Sequence, residues 1–161
     1  MIRIRVSALI VRQNPEPEIL LIRHRRRGRS YSVLPGGKPE PTETLEEAFV
    51  REVSEETGFE ALMEGLVFLA DVIDPHHSTH TVNLIFKAEI VGGRFRGTPE
   101  SSSPIESQDE AYFVPLSSLN SEPLYPAIGP AILEAQALGF ATYARYLGNA
   151  WKSFDEVPTS D

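Results

Sequence analysis

Over the first third of the chain, hydrophobic and polar residues occur in short alternating runs, which is the pattern of strands joined by tight turns. Residues 3–11 alternate and then become apolar, and residues 18–22 form a second apolar run. The intervening NPEP has turn chemistry, so these runs are predicted to pair as two strands. A third strand is predicted over residues 31–34, and the PGG that follows allows a sharp backbone turn.

Helical spacing replaces the strand pattern between residues 45 and 57. Thr44 is predicted as the N-cap, because Glu47 stands three residues later as its partner in a capping box. Gly58 suits the left-handed conformation that ends a helix. The apolar stripe consists of Leu45, Ala48, Phe49 and Val53. These signals predict an amphipathic helix lying on a core.

Two carboxylates occupy an unusual place on this helix. At about 100° per residue, Glu52 and Glu56 project within the angular span of the apolar stripe rather than opposite it. Glu55 lies beside them, and Arg51 alone cannot neutralise three carboxylates near a desolvated surface. The helix geometry therefore predicts a bound metal, since hard divalent cations prefer oxygen ligands.

Strand composition recurs in the second half of the chain, over residues 66–72, 81–90 and 111–116. A polar loop is predicted over residues 98–104. From Pro130 the composition favours helix but is interrupted by Gly139, which predicts one or two closing helices. This order of elements is that of the α+β class, with helices packed on a mixed sheet.

Composition limits the class of protein. The 161 residues are about one domain in length, so we predict a single domain over residues 1–155 and a frayed tail over 156–161. The lack of cysteine excludes disulfides and cysteine-bearing zinc sites, and the cytoplasm is the simplest compartment. The N-terminus has no uninterrupted apolar segment typical of a signal peptide or membrane span. A formal net charge of −8 argues against nonspecific nucleic-acid binding.

Positive charge is nevertheless concentrated in one segment. Five of the 15 Lys and Arg residues fall there, at Arg23, Arg25, Arg26, Arg27 and Arg29. The segment is interpreted either as a solvated basic loop or as a guide for an anion. In the second interpretation, Arg25 and Arg27 are the candidate phosphate contacts.

The segment from Gly37 to Phe59 carries the most specific motif of the chain. It reads GKPEPTETLEEAFVREVSEETGF, in which two glycines, a glutamate, an Arg-Glu pair and a Glu-Glu pair keep one fixed spacing. The motif resembles the Nudix box in every fixed element, although Thr42 stands where a glycine frequently precedes Glu43. The resemblance implies an α/β/α sandwich and a hydrolase of phosphoric anhydride bonds. It also implies Mg²⁺ as the cofactor, with Mn²⁺ as a substitute.

The resemblance implies roles for individual box residues. Glu52 and Glu56 are the first-choice metal ligands. Glu55 is a third ligand or the group that deprotonates a metal-bound water, and Gly37 contributes a backbone carbonyl. Because members of this family often take a further carboxylate from outside the box, Glu106 is the candidate for that role.

Arg51 is expected to orient carboxylates through its planar guanidinium rather than to touch substrate. It stands at i,i+4 spacing from both Glu47 and Glu55. Glu43, on the loop entering the helix, is expected to pair with Arg51 or with a backbone donor, and metal contact is the alternative.

Substrate identity depends on residues outside the box. Pro75 stands 16 residues beyond Phe59, a spacing that resembles the subgroup acting on ADP-ribose. The first hypothesis is therefore cleavage of ADP-ribose or another nucleotide sugar to a nucleoside monophosphate and a sugar phosphate. The alternative substrates are a nucleoside triphosphate, a dinucleoside polyphosphate or an RNA end. A nucleotide-sensing module without turnover is the alternative from another class, and a homodimer is left open.

Three histidines and three aromatic residues allow further interpretations: His76, His77 and His80, and Tyr143, Tyr146 and Trp151. The histidines have no cysteine to complete a tetrahedral zinc set. We therefore expect them to line the substrate loop or to lie exposed, with zinc as the alternative. The aromatic residues are expected in the core or at an interface, with base stacking as the alternative.

Overall fold

Eight strands and two α-helices make up the part of the chain that the computed structural model describes, which is residues 1–26, 28–97, 109–140, 144–153 and 156. In chain order they are β1 (Ile2–Asn14), β2 (Glu16–Arg26), β3 (Arg29–Val33), β4 (Gly36–Gly37), α1 (Leu45–Thr57), β5 (Phe59–Asp74), β6 (Thr79–Gly93), β7 (Glu110–Pro115), α2 (Gly129–Ala137) and β8 (Arg145–Asn149). A short 3-10 helix, Leu116–Ser121, lies between β7 and α2.

The strands form one mixed sheet in the order β3-β2-β1-β6-β5-β8, with β4 paired to β1 and β7 paired to β2. β1 pairs with β6 and β5 with β8 in parallel, whereas the other pairings are antiparallel. Gly36 and Gly37 of β4 lie opposite Ser7 and Val6 of β1. The glycine loop is therefore held against the middle of the sheet.

A hydrophobic core lies on each face of this sheet. Val6, Ala8 and Ile10 of β1 belong to the core under α1, whereas Leu9 belongs to the core under α2 and the 3-10 helix. This division follows from the two-residue period of a strand. The predicted α+β class, with helices flanking a mixed sheet, is confirmed.

Helix α1 has the predicted bounds and caps. The Glu47 N–H donates to Oγ1 of Thr44 at 3.1 Å, the Thr44 N–H donates to Oε2 of Glu47 at 2.7 Å, and Gly58 has a φ of 80°. Glu47 is thus the partner of Thr44 in the capping box, as predicted. Leu45 is 39% exposed, so the buried stripe begins one turn later than predicted.

The strands are longer than the sequence pattern predicts. β2 continues to Arg26 and β3 begins at Arg29, so four of the five arginines of the basic segment lie on the paired strands of a hairpin and not in a loop: Arg23, Arg25, Arg26 and Arg29. β5 begins at Phe59, directly after α1, whereas the predicted strand begins at residue 66. The pairing of β5 with β6 shifts register three times, and such bulges obscure the period-two pattern on which the prediction relied.

The C-terminal segment departs most from the prediction. α2 is its one α-helix within the described residues, and residues 145–149 form β8 instead of a second helix. The cause is tertiary, because the edge of β5 accepts β8 in parallel, with Phe68 opposite Arg145 and Leu69 opposite Tyr146. Tyr146 is 65% exposed, so it does not lie in the core, and an interface or base-stacking role for it stays a prediction.

Several predictions fall outside the described residues: Tyr143, the polar loop over 98–104 and the tail over 157–161. The domain boundary at residue 155 therefore stays a prediction. In the part of the chain that is described, no helix has both the length and the apolar character needed to cross a bilayer.

Candidate active site

Two glycines form the floor of the candidate site. Gly36 has a φ of 146°, and a Cβ atom there would lie 2.0 Å from the carbonyl oxygen of Val6. A Cβ atom at Gly37 would lie 2.1 Å from Oε1 of Glu52. A side chain at either position would collide with β1 or with α1. The two glycines are therefore what allows α1 to bring its carboxylates onto the loop.

Glu52 and Glu56, about one helical turn apart on α1, are the carboxylates nearest this loop. Oε2 of Glu56 accepts a hydrogen bond of 2.7 Å from the backbone N–H of Gly36. Burial raises the pKa of Glu56 to about 7, although the Gly36 N–H and the charge of Arg5 lower it. The charges of Glu52 and Asp109 raise it further. The positive charge near Glu56 is thus too small to offset the cost of burying its ionised carboxylate.

Arg51 organises the solvent side of the same helix. Its Nε and Nη2 donate to the two carboxylate oxygens of Glu43 at 2.7 and 2.9 Å. Its Nη1 donates to Glu52 at 2.9 Å and to Glu55 at 3.4 Å, and its Nη2 also donates to the Lys38 carbonyl at 3.3 Å. Hydrogen bonding with Arg51 lowers the pKa of Glu43 to about 2. The expected pairing of Glu43 with Arg51 is therefore present, in a bidentate form.

Glu55 is more exposed than Glu52, with 60% of its side chain accessible against 17%. As they stand, no three acidic or histidine side chains of the described residues group closely enough to hold an ion. The donors nonetheless fit a hard divalent cation, because Glu52 supplies carboxylate oxygens beside the backbone of Gly37 and Glu56 does so beside Gly36. A cation there would also keep Glu56 ionised.

Sequence reasoning missed Arg5, whose side chain reaches the site from β1. Its Nη2 donates to the carbonyl of Leu34 at 3.2 Å. Burial lowers the pKa of Arg5, and attraction to the charges of Glu56 and Glu52 opposes this effect. The signal in the sequence is a charged residue between two apolar ones, and that pattern also fits any half-exposed strand position.

Asp109, directly before β7, is a second residue that sequence reasoning missed. Its Oδ1 lies 2.7 Å from Nδ1 of His24 and 3.1 Å from Nη1 of Arg26. Burial raises the pKa of Asp109, but these two partners outweigh burial and leave the pKa lowered. The signal was the acidic stretch over residues 106–110, from which Glu106 was predicted instead. Glu106 lies outside the described residues.

The predicted substrate contacts lie on two other parts of the fold. Arg25 lies on β2 opposite Ser30, and its side chain has no ion-pair or hydrogen-bond partner among the described residues. Arg27 is not described. Pro75 is exposed in the turn between β5 and β6. The structure thus brings the box residues together but does not link Arg25 or Pro75 to them by direct contacts.

The three histidines have separate neighbours. Nδ1 of His77 lies 2.6 Å from Oδ2 of Asp74, and Nε2 of His80 lies 2.6 Å from Oδ1 of Asp71. The ring of His76 lies against the C-terminal tryptophan, with centroids 5.7 Å apart. Each histidine therefore has a local partner, and the three do not converge on one point.

Comparison with known proteins assigns the chain to a family. The model of the NUDIX domain matches residues 1–134 of the chain. A protein of Methanocaldococcus jannaschii named ADP-ribose pyrophosphatase is 30% identical over 115 residues, which cover 71% of this chain and 62% of that protein. The chain therefore spans less than two thirds of this relative's length, and smaller shares of other curated relatives.

Solved structures agree with the family match. A MutT NUDIX hydrolase from Burkholderia pseudomallei is 31% identical, with a TM-score of 0.58, and the match covers 83% of this chain and 97% of that one. A NUDIX hydrolase from Nitrosomonas europaea has a TM-score of 0.67 at 20% identity, with coverage of 89% and 97%. The second likeness shows the shared fold alone.

Proposed function

The chain belongs to the NUDIX family, and on that premise we propose that it is a pyrophosphohydrolase that uses a divalent cation to cleave the diphosphate linkage of a nucleoside diphosphate derivative. The observation that carries the proposal is the pair of Glu52 and Glu56 against the loop of Gly36 and Gly37. Burial that raises the pKa of one carboxyl to about 7 beside a second carboxylate is unfavourable unless a cation binds there. Such a site supports binding of metal and phosphate together.

We assign the cation to the carboxylates of Glu52 and Glu56 and the backbone carbonyl of Gly37, with Glu55 as the additional carboxylate. Mg²⁺ is the proposed ion and Mn²⁺ a substitute, because both favour oxygen ligands in octahedral geometry. When bound, such an ion polarises phosphoryl oxygens and lowers the pKa of water. The protein's part is to hold oxygen donors of the right number and spacing.

The residues around these ligands have distinct proposed tasks. Arg51 fixes the orientation of Glu52 through a guanidinium that Glu43 holds in place, which is a positioning role. Where Glu55 does not bind the cation, it is the proposed acceptor of the proton from the attacking water, since its side chain is 60% exposed. Glu106 stays the proposed alternative base, and Asp109 is the described carboxylate of the same acidic stretch.

ADP-ribose or another nucleotide sugar is the proposed substrate, with a nucleoside monophosphate and a sugar phosphate as products. The name of the Methanocaldococcus jannaschii relative supports this choice. Pro75 supports it through its spacing from the box and its exposed position in a turn, where ligand contacts are common.

A nucleoside triphosphate is the second candidate. The observation that favours it is a groove of about 730 Å³ beside the box loop, whose lining includes Arg3, Arg5 and Lys38. We call it the cationic groove, because its described lining contains these three cations and no carboxylate. A third phosphate would add negative charge that such a groove accommodates.

Incubation of the purified protein with ADP-ribose and Mg²⁺ tests the first candidate. We expect AMP and ribose 5-phosphate from the wild-type protein. Failure to form AMP, together with release of inorganic pyrophosphate from a nucleoside triphosphate, would move the assignment to the second candidate. Tight nucleotide binding without turnover in either Mg²⁺ or Mn²⁺ would favour a sensing module instead.

We also propose the cytoplasm as the compartment, supported by the lack of cysteine in the 161 residues. The proposed ligand is a small nucleotide rather than a nucleic acid, in keeping with the formal net charge of −8. A homodimer is a further proposal, which light scattering on the purified protein tests directly.

A further inference from the structure

Arg5 has more hydrogen-bonding capacity than its surroundings use. A guanidinium carries five N–H donors. Within the described residues, the Arg5 side chain makes a single hydrogen bond, to the Leu34 carbonyl at 3.2 Å, and no ion pair. Most of its donors therefore have no acceptor in the part of the protein that the structure describes.

An ordinary exposed arginine would satisfy those donors with water, but Arg5 is partly buried, and burial lowers the pKa of its guanidinium. The charges of Glu56 and Glu52 stabilise it from beyond ion-pair distance. Withdrawing a cation from water without a direct partner is unfavourable. Such an arrangement is explained if an anion completes the contacts when the site is in use.

The location of Arg5 identifies the anion. Arg5 lines the cationic groove, and its guanidinium is also close enough to Glu56 and Glu52 to be stabilised by their charges. Lys38, which follows the glycine loop directly, lines the same groove. A group that bridges the box carboxylates and this groove must carry negative charge at the box, where a cation also binds. A phosphate of the bound nucleotide meets both requirements.

We propose that Arg5 is a substrate-binding residue, whose unused N–H donors bind phosphate oxygens of the nucleotide where the cationic groove meets the box. This inference rests on the proposed function for the identity of the ligand. It adds a residue outside the box, on β1, that contacts the substrate. Arg51 has a different task, because its donors are already engaged by carboxylates.

The test compares Arg5→Met with the wild-type protein and with Arg145→Met. Arg145 lies on β8 and pairs with exposed Glu134, so its replacement makes the same change of charge away from the site. Binding is measured by calorimetry in EDTA with ADP-ribose, with inorganic pyrophosphate and with uncharged adenosine. We expect Arg5→Met to weaken binding of the two diphosphates about 10- to 100-fold and to leave adenosine unchanged. Arg145→Met should stay within about twofold of wild type for all three.

Three results would overturn the proposal: diphosphate binding by folded Arg5→Met within about twofold of wild type, an equal loss of adenosine binding, or a wild-type protein that binds neither diphosphate. Arg5→Lys covers the case in which Arg5→Met does not fold. It keeps the charge but not the planar fork, so we expect diphosphate binding between those of the wild type and Arg5→Met. If Arg5→Met does not fold and Arg5→Lys binds diphosphates like the wild type, the proposal fails.

Failure of this inference is distinguishable from failure of the proposed function. A wild-type protein that binds diphosphates through Arg5 but hydrolyses none would contradict the pyrophosphohydrolase and leave the Arg5 assignment standing. If the wild-type protein hydrolyses the diphosphate and Arg5→Met has a normal KM but a lowered kcat, the pyrophosphohydrolase stands and the Arg5 assignment is contradicted. Arg5 would then act on the carboxylates rather than on the substrate.

Discussion

Two arginines lie near Glu52 of α1, and they differ in how their N–H donors are used. Arg51, on the solvent side of α1, donates to three carboxylates and to one backbone carbonyl. Arg5, on the side of β1, donates to one backbone carbonyl among the described residues. The first guanidinium is saturated by the protein, and the second is not.

This difference distinguishes an arginine that positions carboxylates from one that is available to bind a ligand. A guanidinium with all its donors engaged holds its partners in one arrangement, whereas one with unused donors retains capacity for a ligand. Glu52 accepts a hydrogen bond from Arg51, and the charges of Glu52 and Glu56 both attract Arg5. In our proposal, Arg51 therefore orients Glu52, whereas Arg5 binds the substrate beside these carboxylates. Variants of the carboxylates and of Arg51 should therefore have effects of different kinds.

Removing the carboxylate charge at Glu56 should have the largest effect. Glu56→Gln keeps the shape of the side chain and loses a proposed metal ligand, so we expect kcat to fall about 10²- to 10⁴-fold with the fold intact. Glu46→Gln is the matched control, because Glu46 is an exposed residue of the same helix. Steady-state kinetics with Mg²⁺ and circular dichroism make the comparison. Equal activity of the two variants would contradict the site.

The same variant should change how the metal-free protein responds to pH. The pKa of Glu56 is raised from an ordinary value of 4.5 to about 7, so folding favours the neutral form and stability declines as pH rises from 4.5 through 7. Glu56→Gln removes this loss, which is on the order of 3 kcal/mol at pH 8. Urea denaturation in EDTA at pH 5 and pH 8 measures it. A stability difference between variant and wild type that is the same at both pH values would show that folding does not raise the pKa of Glu56.

Arg51→Lys should produce a smaller loss, through the metal rather than the fold. Lysine keeps the charge but cannot hold Glu43 by two hydrogen bonds and Glu52 by a third. We expect the Mg²⁺ concentration for half-maximal activity to rise about 10- to 100-fold. Arg145→Lys, at a remote exposed ion pair, is the control. An unchanged Mg²⁺ dependence would show that Arg51 does not position these carboxylates.

Thr42→Gly should give the smallest effect, and a favourable one. Thr42 has a φ of 73°, a left-handed conformation that disfavours β-branched residues, and it precedes the Glu43 that holds Arg51. We expect the free energy of unfolding to increase by about 0.5–1 kcal/mol. Thr79→Gly, on strand β6, should instead decrease it, because glycine weakens a strand. A loss of stability in Thr42→Gly would mean that the threonine side chain is itself required.

The parts of the molecule that were predictable from the sequence are those specified locally. Helix α1 has its signals within its own segment, namely Thr44 and Glu47 at one end and Gly58 at the other. The spacing of the box likewise places Glu52 and Glu56 on one face of that helix. These features depend on neighbours in the chain, so the structure reproduces them.

The parts that were missed depend on contacts between distant segments. β8 is a strand because the edge of β5 accepts it, and nothing between Arg145 and Asn149 specifies that partner. Arg5 reaches the site because β4 pairs with β1 beside it, which only the sheet topology reveals. Predicting Asp109 would have required knowing which residue of the acidic stretch pairs with His24 and Arg26 in the folded chain.

One measurement decides whether these carboxylates serve hydrolysis of a phosphoric anhydride. Phosphorus-31 NMR spectra of ADP-ribose with the wild-type protein and with Glu56→Gln are recorded before and after Mg²⁺ is added. We predict that the diphosphate signals convert to phosphomonoester signals only with the wild-type protein and only after Mg²⁺. Conversion at the same rate by both proteins would contradict the claim that these carboxylates serve hydrolysis. An unchanged wild-type spectrum with both ADP-ribose and a nucleoside triphosphate would contradict it as well.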